Sequence, residues 1–254
     1  MNVTSKYEFT IIVPVFNEEG NMPRLADTIS SYLPRCPYKA CALFVDDGST
    51  DGSGSLIEKA CSEHDGFFYI RFASNAGLSA AIKAGFDFAE SRYVGYMDAD
   101  MQTSPEDFSL LLPHIVDCSM VTGIRADRHD NIFKRMQSRI ANGFRRIMTH
   151  DGAADTGCPL KVFRTECAKS IPMFKGMHRF FPALVLLQDG GSYMQIPVRH
   201  YHRLAGKSKF HLWNRLLGPL SDCFAYRWMK TRYINYSVSR SNIVSGPECR
   251  EQSN

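Results

Sequence analysis

Asp98-Ala99-Asp100 sets two carboxylates two residues apart just beyond the apolar run Tyr93–Met97, and Gln102 follows two residues later. On an extended backbone residues i and i+2 face the same side. Both carboxylates and the Gln102 amide oxygen can therefore turn towards one hard cation such as Mg²⁺ or Mn²⁺. A cation held in this way would bridge diphosphate oxygens and stabilise the charge on a departing nucleoside diphosphate. The competing reading is an acidic turn in which Asp98 or Asp100 caps a helix opening near Ser104-Pro105-Glu106. Asp46-Asp47-Gly48-Ser49-Thr50-Asp51 is open in the same way. Either Asp47 accepts hydrogen bonds from a ribose or base, or the cluster is a strand-to-helix turn loosened by Gly48 and capped by Ser49 or Asp51. Asn17-Glu18-Glu19, after Pro14-Val15-Phe16, is likewise a polar turn or a nucleotide-edge contact.

The elements that must position these clusters alternate. Short β-branched runs at Phe9–Val15, Ala42–Val45, Phe67–Phe72, Tyr93–Met97 and Ser119–Thr122 read as strands. Helical patterns fill the gaps at Asn21–Leu33, Ser53–Glu63, Leu78–Glu90 and Pro105–Cys118. Such alternation predicts βαβ units and a mostly parallel sheet, in which ligands sit beyond the carboxyl ends of the strands. All three polar clusters follow strand ends, so they converge on one edge. The second half is less regular: a basic helical stretch over 131–148, a strand at Leu160–Phe163, a helix near Arg179–Leu187 and a strand at Tyr193–Val198.

With 254 residues, 44% apolar and 22% charged, the chain can bury a core without disulfide or metal staples, which excludes disorder as its main state. Its longest apolar stretches, such as Ile11–Phe16 and Pro182–Leu187, fall far short of the roughly 20 residues that span a bilayer. The first ten residues carry Lys6 and Glu8 and lack the apolar core of a secretory signal, so a cytoplasmic location is expected. The eight cysteines are scattered without a C-x-x-C pair and read as reduced thiols, with Cys158 a packed turn residue. The eight histidines show no zinc-like spacing with cysteines. The net charge of +4 hides a division: residues 131–147 carry +5 and residues 207–240 carry +6, leaving −7 on the remainder. Two basic segments on an acidic body imply a polyanionic partner on one side, nucleic acid or an anionic membrane surface. Acidic strand-end clusters would repel a nucleic-acid backbone, so no nucleic-acid partner is expected.

Together, Pro14-Val15-Phe16-Asn17-Glu18, Asp46 to Asp51, Asn75-Ala76-Gly77 ahead of a helix with Gly85, and Asp98-Ala99-Asp100 with Gln102 resemble the family 2 glycosyltransferases of GT-A fold. Further motifs are similar to the polyprenyl-phosphate glycosyltransferases, a subgroup that includes dolichyl-phosphate mannosyltransferase and undecaprenyl-phosphate sugar transferases. These are Gly123-Ile124-Arg125, the Arg139 helix, Thr156-Gly157-Cys158 with Lys161 to Arg164, Arg179-Phe180-Phe181, and Arg203 with Gly206-Lys207-Ser208-Lys209. The resemblance covers roughly residues 9 to 230. It implies an α/β GT-A fold with a mostly parallel central sheet flanked by helices and C-terminal amphipathic interface helices. It also implies one domain over 1–236, with a nucleotide half at about 9–125 and an acceptor half at about 126–236; the tail 237–254 is expected to be disordered.

By that resemblance Pro14, Phe16, Glu18, Val45 and Asp47 would line the nucleoside pocket, with the Ala99 backbone near the nucleotide. Phe16 stands where a tyrosine is frequent. Asp98, Asp100 and Gln102 would hold Mg²⁺ or Mn²⁺; Arg125, Arg203 and Lys209 would neutralise phosphate oxygens; Arg139 would meet the lipid phosphate. Arginine suits that task because its planar fork matches phosphate and stays charged. Arg145, Arg146 and Arg240 read as surface cations. The implied reaction moves a sugar from a GDP- or UDP-sugar to a polyprenyl phosphate with inversion, and the alternative keeps the fold but uses a saccharide hydroxyl as acceptor.

A phosphomonoester acceptor has its second pKa near ~6, so it is already nucleophilic and needs no general base. Asp151 and Asp155 are the only acids between Asp130 and Glu166 that could serve as one. The lipid would be met without a membrane span. Trp213, Leu216, Leu217, Leu220 and Phe224 form an amphipathic stripe, with Trp213 and Trp228 as interfacial anchors and a kink expected at Gly218-Pro219. The second stripe is Phe133, Met136, Ile140, Phe144 and Ile147. Either stripe could instead pack on the core. The expected partners are the nucleotide sugar, the polyprenyl phosphate, the inner face of the cytoplasmic membrane and a membrane partner subunit.

Overall fold

The computed structural model describes residues 3–125, 143–199, 217–236 and 239–240. Seven strands form one sheet in the order β3-β2-β1-β4-β6-β5-β7. They are β1 (Phe9–Val15), β2 (Ala40–Asp46), β3 (Phe67–Arg71), β4 (Tyr93–Tyr96), β5 (Met120–Arg125), β6 (Lys161–Arg164) and β7 (Tyr193–Val198). The pairs β1·β2, β1·β4, β2·β3 and β5·β7 are parallel, and only β6 runs against its neighbours β4 and β5. β1 and β2 are buried at every position, as their largely apolar sequences, interrupted only by Thr10 and the terminal Asp46, require of strands covered on both faces.

Helices α1 (Met22–Tyr32), α2 (Ser53–Glu63) and α3 (Leu78–Phe88) cross between the parallel strands. One face of the sheet buries Phe9, Ile11, Val13 and Phe44 with Leu25 and Ile29 of α1 and Ile57 of α2. The other buries Ile12, Leu43 and Val45 with Ile82 and Phe86 of α3. The odd-and-even division along β1 is the period-2 alternation of a strand. Gly85 of α3 lies so close to Ile12 that a Cβ there would collide with its side chain, so the glycine sets how near the helix approaches the sheet.

One expected helix differs. Residues 105–118 are three short pieces: 3-10 turns at Pro105–Asp107 and Leu112–His114, and α4 at Phe108–Leu111. Pro113 has no amide to donate, which interrupts the helical hydrogen-bond ladder there. The last described helix is α8 (Leu217–Lys230); the residues before it, across which a kink at Gly218-Pro219 is expected, lie outside the described residues. Within the basic stretch 131–148, residues 143–149 are described and helical (α5). Two short helices complete the chain, α6 (Thr165–Ser170) and α7 (Phe181–Val185).

Phe181, fully buried, meets Phe163 of β6 at 5.1 Å and Phe86 of α3 at 5.9 Å between ring centres. It joins α3 in the first half of the chain to β6 in the second. Phe181→Ala is expected to cost about 3–5 kcal/mol, read as a lowered denaturant midpoint with unchanged slope.

Candidate functional site

The chain passes from β1 to β2 and β3 on one side and then returns to lay β4 on the other side of β1. The crevice of a parallel sheet opens at such a reversal, beyond the carboxyl ends of the two strands. Ile12 of β1 is in register with Tyr96 of β4, so the turns that follow, Phe16 to Glu18 and Asp98 to Gln102, flank one crevice. Val15 is in register with Asp46, which brings the Asp47 turn to the same edge.

Each turn is built by side chains accepting backbone amides. The Asn17 N–H donates to Ser49 Oγ at 3.0 Å, and Asn17 Oδ1 accepts the Thr50 N–H at 2.8 Å. Asn17 adopts φ +53°, a conformation that asparagine tolerates better than most residues. The Glu18 N–H donates to Ser53 Oγ at 2.8 Å, and Asp51 accepts the Ser53 N–H at 3.0 Å and the Glu19 N–H at 3.2 Å. The first two turns are thus stitched together.

Asp47 is 3% exposed. Its Oδ1 accepts the Ala76 N–H at 2.7 Å, and its Oδ2 accepts the Gly77 N–H at 2.9 Å and the Asn75 amide at 2.8 Å. The carboxylate thus holds the 75–77 turn that starts α3. Val45 is fully buried against α3, and Pro14 is buried too. Phe16 and Glu18 are half-buried at its edge, and Glu18 accepts the Asn21 amide at 2.7 Å.

At the end of β4, Asp98 is half-buried and Asp100 is 9% exposed. Asp100 Oδ1 accepts the Gln102 N–H at 3.1 Å, and Met101 between them turns at φ +60°. The capping role weighed for these aspartates belongs to Ser104, whose Oγ accepts the Glu106 N–H. Ala99 is buried in the core, leaving its backbone for any contact. No cluster of three or more His, Cys, Asp or Glu side chains able to hold a metal occurs among the described residues. Two carboxylates at one turn with a neighbouring amide oxygen still fit Mg²⁺ or Mn²⁺, which take one or two protein carboxylates and complete an octahedron with phosphate oxygens and water.

The arginine expected to meet phosphate is already engaged. Arg125, at the end of β5, forms a bidentate pair with Asp155 (Nε 2.8 Å, Nη2 2.9 Å), and its own N–H donates to the same carboxylate. Gly157 lets this pair form, since a Cβ there would strike the guanidinium. Arg145 is no surface cation: it is 6% exposed, pairs with buried Asp151 and donates to the Ala153 carbonyl at 2.8 Å. Arg146 and Arg240 are exposed. Arg139, Arg203 and Lys209 lie outside the described residues, as do the stripe positions before 143, Trp213 and most of the 237–254 tail.

Three groups carry more than the sequence reading gave them. Lys161, 1% exposed in β6, donates to the Cys158 and Thr156 carbonyls. Its ammonium lies 5.5 Å from the ring centre of buried Tyr96, its register partner on β4. His178 Nδ1 lies 2.7 Å from Ser79 Oγ near the start of α3, and that hydroxyl accepts the Gly176 N–H at 2.9 Å. Burial, with the nearby Arg179 and Lys161 charges, pulls the His178 pKa down to about 3. Asp107 accepts the Arg199 N–H at 3.1 Å, and burial raises its pKa. A lysine opening an apolar strand was the one visible signal among these.

The model of the family described as glycosyl transferase family 2 matches residues 10–172, and the chain belongs to that family. It is 29% identical over 229 residues to a dodecaprenyl-phosphate galacturonate synthase of Rhizobium johnstonii, covering 87% of this chain and 68% of that protein. It is 30% identical over 215 residues to an undecaprenyl-phosphate 4-deoxy-4-formamido-L-arabinose transferase of Salmonella choleraesuis, covering 84% of this chain and 65% of the relative. The chain therefore spans about two thirds of the length of these relatives. Among solved structures, a mannosyltransferase from Pyrobaculum calidifontis in complex with GDP-Man and Mn²⁺ matches with TM-score 0.61 at 17% identity, covering 91% of this chain and 65% of that one. Glucosyl-3-phosphoglycerate synthase from Mycobacterium tuberculosis with Mn²⁺, UDP and phosphoglyceric acid matches with TM-score 0.66 at 14% identity, covering 91% and 81%. Both share the GT-A fold.

His178 stays neutral in the folded protein but protonates near its usual 6.5 when unfolded. The unfolded chain thus binds more protons between about pH 6.5 and 3, so stability falls as pH drops through that window, by up to about 1.4 kcal/mol per pH unit. Urea denaturation at pH 7.0 and 5.0 should show the loss in the native protein and a shallower one in His178→Gln.

Proposed function

We propose that the protein transfers a sugar from a UDP- or GDP-sugar to a polyprenyl phosphate at the inner face of the cytoplasmic membrane, with inversion at the sugar carbon. The observation that carries this reading is the state of Asp151 and Asp155. Both acids weighed as general bases are buried and paired with Arg145 and Arg125. A hydroxyl acceptor would need such a base to take its proton, whereas a phosphate monoester arrives already anionic. The demand on the protein is then to hold two anions together, which is electrostatic and positional work. Phe16 and Glu18 stand at the nucleoside edge, and Asp98, Asp100 and Gln102 at the diphosphate. Mg²⁺ or Mn²⁺ bound there would neutralise the departing nucleoside diphosphate. The relatives named for dodecaprenyl- and undecaprenyl-phosphate substrates support the choice of acceptor.

The lipid-side surface is consistent with an anionic bilayer. Phe224 and Trp228 of α8 are each 62% exposed, one helical turn apart, and Ile147 of α5 is 67% exposed. Phe144 and Phe224 lie 6.3 Å apart, joining the two helices. Exposed Arg146, Arg227, Lys230 and Arg232 surround them, while Cys223, Tyr226 and Met229 bind the opposite face of α8 to the core. No described helix is long and apolar enough to cross a membrane; an exposed aromatic face rimmed by cations suits contact at the interface.

Incubation with Mn²⁺, labelled UDP- and GDP-sugars and undecaprenyl phosphate should give a solvent-extractable product. Asp98→Asn and Asp100→Asn should each lower its rate by about a hundredfold or more. Transfer to a saccharide hydroxyl instead, or no product across the donor panel from folded, nucleotide-binding protein, would overturn the reading.

On sedimented vesicles containing phosphatidylglycerol, the double variant Phe224→Ser/Trp228→Ser should be retained at least tenfold less than the native protein, from the lost burial of two aromatic side chains. Equal retention would remove α8 as the contact.

A further inference from the structure

Lys161 is buried as completely as the core phenylalanines around it. Its ammonium hydrogens go to the carbonyls of Thr156 and Cys158, and the Tyr96 ring lies beside it. Among the described residues it forms no ion pair with a carboxylate. Asp155, the nearest acid in its own turn, is bidentate with Arg125. Burial lowers the Lys161 pKa, opposed by Cys158, Asp155 and Asp98 nearby; the ammonium keeps its field, because neither water nor a contacting counter-ion screens it.

That field reaches the end of β4. Lys161 is in register with Tyr96, and Asp98 lies two residues beyond Tyr96, about 7 Å along the strand direction. The Asp98 and Lys161 charges are close enough to act on each other. The two aspartates supply at most two carboxylates, no third acid joins them among the described residues, and Lys161 offsets part of their charge.

Resting on the functional reading above, we propose that Lys161 is a positioning charge that keeps the Asp98/Asp100 turn from binding a divalent cation alone, so that the metal enters with the nucleoside diphosphate. A unit charge about 10 Å from a dication, at an effective dielectric of about 20–40, weakens its binding by roughly tenfold or more. The same charge attracts the diphosphate. For the metal–nucleotide complex the two effects oppose each other and largely cancel. The site would thus discriminate against free metal without weakening the loaded donor.

The test is Lys161→Gln, which keeps a donor for the two carbonyls but removes the charge. Free Mn²⁺ binding is followed by electron paramagnetic resonance without nucleotide, then UDP and GDP binding by calorimetry with saturating Mn²⁺. Free Mn²⁺ should bind the variant at least about tenfold tighter than the native protein, while binding of the metal–nucleotide complex changes less than about threefold. Lys161→Arg, which retains the charge, should bind free Mn²⁺ as weakly as the native protein. Loss of packing alone would weaken both measurements together. Unchanged or weaker free Mn²⁺ binding in Lys161→Gln overturns the proposal while leaving the functional reading intact. Absence of Mn²⁺-dependent nucleotide binding in the native protein overturns both. Micromolar affinity of the native protein for free Mn²⁺ without nucleotide likewise overturns the proposal.

Discussion

At the carboxyl edge of this sheet, the turns are held by aspartates that accept backbone amides. Asp46 takes the Ser49 N–H, Asp47 those of Ala76 and Gly77, Asp51 those of Glu19 and Ser53, and Asp100 that of Gln102. Asp151 takes the Ala153 N–H, and Asp155 those of Arg125 and Gly157. A turn leaves amides without a helical or sheet partner, and a carboxylate is the strongest acceptor a short side chain can offer them. The crevice can be deep and still keep its shape because this constraint is met locally, turn by turn. It also means that an inventory of acids overstates how many are left for chemistry.

The basic residues divide on the same principle. Arg125 and Arg145 spend their forks on Asp155 and Asp151, which fixes the 151–157 turns against the ends of β5 and α5. Breaking either pair would leave a buried charge alone, far costlier than the pair's own net contribution. Cations that serve an anionic substrate or surface must therefore come from elsewhere, and the exposed set on α5 and α8 is where the described structure supplies them.

Much of this was legible in the sequence where local signals and tertiary demands agree. β1, β7 and α2 occupy the residues their patterns indicate, since a largely apolar run or one clean amphipathic face leaves few alternatives. The crevice was legible too, because strand-end polar clusters in a parallel sheet have one edge to go to. What was not legible depended on partners distant in sequence or on backbone chemistry. Nothing around Arg145 announces that Asp151 will fold back onto it, and nothing around Asp47 announces a turn 28 residues away. Pro113 interrupted a helix that its periodicity favoured, because a residue without an amide breaks the ladder inside a helix.

A chain of contacts joins the donor edge to the amphipathic helix. Asp47 holds Gly77; α3, which begins there, carries Ser79; Ser79 accepts the Gly176 N–H and bonds His178. The next residue, Arg179, pairs with Asp222 of α8 at 3.6 Å, and Gly176 lies so close to Asp222 that a Cβ would collide with it. Contiguity of this kind is not by itself a route for signals, which requires an element with two arrangements. Its consequence is geometric. Phe224 and Trp228 project from a helix whose placement is referred, contact by contact, to the crevice at the end of β1 and β4. A surface resting on those aromatics would present its phosphates at a constant distance from that crevice, and constant placement of both reactants is the part of the barrier that positioning can remove.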